Sequence, residues 1–169
     1  DVDRNIKKGN LSENADVVEQ VNDERKKITE KIEIDINNIL QNHKEYAEDR
    51  VIIVKGQEWN SGVIGIDADR LRDRFQRPAI VLTGYEDSEY VKGSVRSIQG
   101  IDMYHVIERV QESFWKVFNR QLFQVEVFTK EGSEMVNAFG GHAQACGFTL
   151  NEKDYTEFET RVRNEMSKL

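Results

Sequence analysis

From residue 12 to about residue 40 no glycine or proline interrupts the chain, and Val17, Val18, Val21, Ile28, Ile32, Ile36 and Ile39 recur near helical spacing among charged residues. That spacing predicts one long amphipathic helix. Its apolar stripe is sparse, and two arrangements satisfy it equally: packing on the domain that follows, or connecting two lobes. Val51, Ile52, Ile53 and Val54 then form a continuous apolar run, as in a strand buried on both faces. A turn-rich stretch between Gly56 and Gly62 leads into a helix over about 62–75, with Ile64, Ala68 and Leu71 inward and Ser61 as its N-cap. Pro78 closes that helix, and the apolar run over 79–82 supplies a second strand, so residues 51–82 read as a β-α-β unit.

Residues 89–96 read as a third strand, entering the stretch Gly93, Ser94, Val95, Arg96 and Ser97. A helix follows with a broad apolar face made of Met103, Val106, Ile107, Val110, Phe114, Val117 and Phe118. Alternation over 121–129 predicts another strand, Gly140 and Gly141 break the pattern, and 145–150 reads as a further strand. Tyr155, Phe158, Val162 and Met166 give a closing helix over 152–169. The fold class these elements predict is α/β: a central mixed β-sheet flanked by helices and preceded by a long N-terminal connector helix. The expected division is 1–48 for the connector and 49–169 for the domain.

Composition narrows the class. A chain of 169 residues, 38% of them apolar and with one proline, is large enough for a packed core and excludes a disordered polypeptide. No internal repeat or low-complexity segment is present, and no apolar run reaches the length of a membrane span, which argues against a membrane partner. The start at Asp1, without an initiator methionine or a charged-then-apolar leader, leads us to expect an excised or processed piece with no secretory signal. Cys146 is the single cysteine, so no intrachain disulfide can form and a cytoplasmic location is expected. The net charge of -7 is spread along the chain and exerts no global pull on a polyanion, so any nucleic-acid contact must be local.

Chemistry-bearing residues are few. The histidines, at 43, 105 and 142, share no metal-ligand spacing, and one cysteine cannot build a zinc site. Asp67 and Asp69 lie two apart on the expected helix and so point away from each other, while the other acidic residues read as solvated faces. Neither a phosphate-binding P-loop nor a dinucleotide glycine fingerprint is present. Two glycine-bearing stretches at strand ends remain. Ser94, Arg96 and Ser97 offer hydroxyls and a guanidinium fork suited to phosphate. Gly140 and Gly141 let backbone N–H groups approach an anion, and His142 adds a ring donor. Each stretch alone is equally a plain turn; together, in an α/β domain, they make an anion site.

These blocks carry a family resemblance. The run from Glu58 and Trp59 through Asn60, Gly62, Val63, Ile64, Gly65 and Ile66, then Ala68, Arg70 and Leu71, then 77–82, then 93–97, then Phe139 to His142 and Ala145 to Gly147, resembles the DHH-associated domain of the RecJ family. Residues 12–40, with Asn22 and Arg25, are similar to the helix linking that family's two core domains. RecJ enzymes are single-strand-specific 5′ to 3′ exonucleases of bacterial DNA repair and recombination. The resemblance implies that a separate DHH domain, absent from this sequence, holds Mn2+ or Mg2+ and performs hydrolysis. This chain would then need no cofactor and would bind single-stranded DNA, with Ser94, Arg96, Ser97, Gly140, Gly141 and His142 at the phosphates. No catalytic residue is expected in it.

The sequence departs from the family pattern in three places. Asn60 stands where the family usually has histidine, Asp67 and Asp69 replace an apolar and a small residue, and 121–136 reads as an insertion. An aspartate beside a DNA track would repel it, so the helix carrying both is expected to face away from DNA or to mark a different substrate path. Two alternatives therefore stay open: a domain of an oligonucleotide or cyclic-dinucleotide phosphodiesterase of the wider DHH superfamily, and a module that docks a repair or replication protein.

Overall fold

The computed structural model describes residues 2–129, 131–136 and 140–169, with side chains for 17–46, 48–124, 131 and 140–169. Helix α1 (Val2–Asn42) is followed by a 3-10 turn (Lys44–Glu48), then β1 (Ile52–Gln57), α2 (Ile64–Phe75) and β2 (Ala79–Gly84). The chain continues through β3 (Tyr90–Arg96), α3 (Met103–Phe118), β4 (Phe123–Thr129), β5 (Gly132–Val136), β6 (Gly140–His142), β7 (Ala145–Asn151) and α4 (Tyr155–Ser167). Phe139, the first residue of one resemblance block, lies outside the described residues.

The sheet has the order β1-β2-β3-β7-β4-β5, with β6 also on β7. Strands β1 and β2 are parallel, as the β-α-β reading requires, and the other pairings are antiparallel. The fold is therefore the expected α/β arrangement with a mixed sheet. Residues 121–136 contribute the β4–β5 hairpin, which among the described residues joins the rest of the sheet where Phe123 and Gln124 meet Leu150 and Thr149.

Alternation along the strands splits the apolar residues between two cores. On one face Ile53, Ile80, Leu82, Val91, Val95, Phe148 and Leu150 meet α3 and α4 through Val110, Phe114, Phe158 and Val162. On the other face Ile52, Val54, Ala79 and Val81 meet α2 and the end of α1 through Ile64, Ala68, Leu71, Ile32, Ile36 and Leu40. Val117 and Phe118, read as part of the α3 apolar face, are exposed at the last turn of that helix.

Of the two arrangements open for α1, packing on the domain that follows is realised by part of the helix. Its C-terminal part packs on the domain, where the Trp59 indole donates to Asp35 at 3.0 Å, Arg74 reaches Asn37 at 2.7 Å, and Arg70 pairs with Glu33. Val17, Val18, Val21 and Ile28 are exposed.

One local expectation needs correction. Ser61 does not cap α2: the helix starts after Val63 without a side-chain cap, because Asn60 makes the turn, accepting Gly62 N–H at 2.8 Å on its side chain and Val63 N–H at 3.1 Å on its carbonyl. Asp67, expected only to point away from Asp69, is buried. It is only 1% exposed, neither carboxylate oxygen meets a hydrogen-bond donor, and burial pushes its pKa up from 3.8 to about 6. Its place three residues after Ile64 and four before Leu71 puts it on the inward stripe of α2.

Candidate anion-binding site

Strand β3 alternates: Val91, Gly93 and Val95 turn to the α3–α4 side, which leaves Lys92, Ser94 and Arg96 on the α1–α2 side. Strand β7 does likewise, turning Cys146, Phe148 and Leu150 one way and Ala145, Gly147 and Thr149 the other. Strand register then sets these residues in rows. Ser94 lies opposite Gly147, which lies opposite Gly140; Arg96 lies opposite Ala145, which lies opposite His142. Directly opposed residues share a face. The two stretches singled out in the sequence therefore meet on one surface, with Arg96 and His142 two strand spacings, about 10 Å, apart. Gly147, Ala145 and Gly140 between them keep the floor low.

Backbone hydrogen bonds fix the two stretches to each other. Ser97 N–H donates to Gln144 O at 2.9 Å, and Met103 N–H donates to Ala143 O at 3.1 Å, which ties the β6–β7 turn to the loop entering α3. Gly140 and Gly141, read as a loop, form a short strand with His142. Gly141 has φ +131, and a Cβ there would come within 2.4 Å of Ala145 O, so backbone geometry and close approach both require glycine. A Cβ at Gly140 would meet nothing within 4 Å. His142 is exposed, and its Nδ1 accepts Gln144 N–H at 3.3 Å; in the neutral ring this puts the proton on Nε2, which can donate outward.

Arg96 is held on three sides. Its Nη1 donates to Ser94 Oγ at 3.0 Å and to Val95 O at 2.9 Å, and its Nε pairs with Asp69 Oδ1 at 3.1 Å. Since Ser94 Oγ accepts from the guanidinium, its own proton can point outward. A Cβ at Gly65 would fall 2.6 Å from Arg96 Nη2, so glycine at 65 lets the guanidinium lie against the first turn of α2. Ser97 differs from the rest: it is buried, and its hydroxyl donates to Ile101 O at 2.6 Å, bracing the loop and not facing the platform.

Asp69 faces the site instead of turning from it. The aspartates of α2 do diverge, one into the core and the other onto Arg96 and, at 3.0 Å, Arg72. Sequence reasoning treated Asp69 as a repulsive departure and did not place Gly65, Ala145 and Gly147 in the site. The alternation of small residues in β7 was the signal that could have found the floor; nothing local in the sequence brings α2 to β3.

This arrangement sets one guanidinium, a hydroxyl and an imidazole N–H over a small-residue floor, the donor chemistry an anion requires. Burial pushes the Cys146 thiol, on the opposite face, up to about 12, so it stays protonated. Among the described residues no cluster of three or more His, Cys, Asp and Glu side chains is placed to hold a metal ion, and the cationic Arg96 guanidinium at one side of the platform would repel one. The residues present therefore do not fit a divalent cation.

A family model described as the DHHA1 domain matches residues 48–114, which takes in Gly65, Asp69, Ser94, Arg96 and Ser97. The chain carries a DHHA1 domain. The single-stranded-DNA-specific exonuclease RecJ of Bacillus subtilis is 31% identical over 150 residues, 89% of this chain and 16% of that protein. The RecJ of Haemophilus influenzae is 30% identical over 145 residues, 84% of this chain and 22% of that protein. The chain thus spans less than a quarter of these relatives' length. A crystal structure of RecJ in complex with Mn2+ from Thermus thermophilus shares the fold with TM-score 0.53 and 24% identity, covering 79% of this chain and 16% of that one. The DHHA1 match ends at Phe114, so the β6–β7 half of the platform lies beyond it.

Proposed function

We propose that this chain is the substrate-binding part of a RecJ-like single-stranded-DNA 5′ to 3′ exonuclease of DNA repair and recombination, gripping the phosphate backbone while a separate domain hydrolyses it. Mn2+ or Mg2+ belongs, in this reading, to that separate domain, and the whole protein works in the cytoplasm. The observation that carries the proposal is the row of Arg96, Ala145 and His142 across three strands, with Ser94, Gly147 and Gly140 beside it. This is a cationic and N–H-donating wall on either side of a floor low enough for a polymer backbone. The exposed apolar stripe at Val17, Val18, Val21 and Ile28 supports the reading of residues 1–48 as a connector whose first half meets another domain.

Phosphate contacts position a strand without reading its sequence, so binding should be sequence-independent and weaken with salt. Fluorescence anisotropy of a labelled, 5′-phosphorylated single-stranded oligonucleotide tests this directly. Arg96→Ala and His142→Ala should each weaken binding across unrelated sequences. Wild-type affinity in both variants at low salt would refute the assignment. Manganese-dependent degradation of single-stranded DNA by this chain alone would refute the division of labour.

A further inference from the structure

The phosphate-gripping reading takes Arg96 to be available, yet most of its guanidinium is already engaged. Of its five N–H donors, both on Nη1 are taken by Ser94 Oγ and Val95 O, and the one on Nε is taken by Asp69. A guanidinium grips phosphate best through two parallel bonds from one edge. Each edge that includes Nη2 has its other nitrogen occupied. The Nη1 contacts include the backbone carbonyl of the preceding residue and move only with the strand. The Nε contact is a side chain on a neighbouring helix, 42% exposed and attached by a short flexible stem.

We propose that Asp69 is a carboxylate latch on Arg96, which a substrate phosphate must displace to reach the Nε–Nη2 edge. The inference rests on the phosphate-binding reading above and adds how that site is regulated. The latch has somewhere to go. Asp69 Oδ1 also lies 3.0 Å from Arg72 Nη1, so releasing Arg96 leaves the carboxylate paired and not stranded. Phosphate binding is then an exchange of one anion for another at a single guanidinium, and its net gain is smaller than for an unpaired arginine. A small neutral residue at 69 removes the competitor. Asp69 is thus a positioning residue: it acts on substrate through Arg96 and lowers affinity in exchange for holding the guanidinium in place.

The test is a double-mutant cycle on the full chain, read by anisotropy with a 5′-phosphorylated oligothymidylate over a range of salt concentrations. Asp69→Asn should bind about two- to five-fold more tightly than wild type at low salt, the size expected for releasing a half-exposed ion pair. In an Arg96→Ala background the same change should have no effect. Asp69→Ser, the smaller variant, should repeat the gain, and thermal melting should confirm that both remain folded. Equal or weaker binding by Asp69→Asn and Asp69→Ser would overturn the latch, as would a gain that survives in the Arg96→Ala background and so reports only lost negative charge. If Arg96→Ala alone binds as wild type, the phosphate-gripping reading falls, and the latch with it. If Arg96→Ala weakens binding while residues 69 and 96 show no coupling, only the latch falls.

Discussion

The two faces of the sheet come from the same alternating strands but are covered very differently. Towards α3 and α4 the cover is continuous, and Phe123, Phe148 and Phe158 meet ring to ring with centroids 4.9 to 5.8 Å apart. Towards α1 and α2 the apolar cover holds over β1 and β2, then gives way at β3 to Ser94 and Arg96 and beyond it to Ala145, Gly147, Gly140 and His142. On the proposed function, stability and binding are divided across one sheet: one face holds the strands in place, and the half-covered face presents what they carry. Helix α2 marks the boundary, with Asp67 buried under it and Asp69 on the polar side.

Substitutions on each side should separate the two roles. Phe158→Ala, at the junction of three aromatic rings, should lower stability by about 3–5 kcal/mol in urea unfolding, with the affinity of the remaining folded protein unchanged. A loss of nucleic-acid binding larger than the folded fraction accounts for would break the division.

Asp67 gives the next largest effect and carries a definite sign. Its folded-state pKa of about 6 lies above the unfolded value of 3.8, so the folded state binds the proton more tightly. Stability should therefore fall as pH rises through that window, by at most about 3 kcal/mol, and stay low above it. Asp67→Val should abolish this pH dependence and raise stability near neutral pH, as chemical unfolding at a series of pH values would show. A wild-type profile flat between pH 3.8 and about 6 would contradict the buried, unpartnered carboxylate.

Gly141→Ala should cost about 1–3 kcal/mol, because the added Cβ meets the β7 backbone and the positive φ is unfavourable for any side chain. Gly140→Ala, with open space above it, should cost far less. Equal costs at the two positions would mean that the β6–β7 register is wrong. The smallest effect is on binding alone: Arg96→Ala should weaken single-strand affinity by about 1–2 kcal/mol at low salt while leaving the melting temperature near wild type.

Much of the fold was legible in the apolar pattern because it lies in period and length. The runs 51–54 and 79–82, with Ile64, Ala68 and Leu71 between them, dictate the parallel pair and its crossover helix. The same period places Asp67 on the inward stripe. Side-chain competition was not legible: Asn60 rather than Ser61 makes the turn into α2, a choice between neighbours that spacing cannot distinguish. Helix ends were also hidden, since Val117 and Phe118 continue the α3 stripe past the sheet that would cover it. For the site, both stretches could be named from the sequence, but their meeting depends on β3, β7 and β6 being neighbours, a long-range pairing with no local signal. The contact of Asp69 with Arg96 depends in turn on that topology and on the space left by Gly65.

The central claim is that the polar half of the α1–α2 face takes the nucleic-acid backbone. Titrating a 5′-phosphorylated oligothymidylate into isotope-labelled protein and following the backbone amide resonances tests it residue by residue. The account predicts shifts concentrated at Ser94, Arg96, Gly140, Gly141, His142 and Gly147, with the α3–α4 face unmoved. Shifts confined to α3 and α4, or to the exposed stripe of α1, with those six amides unchanged, would contradict it.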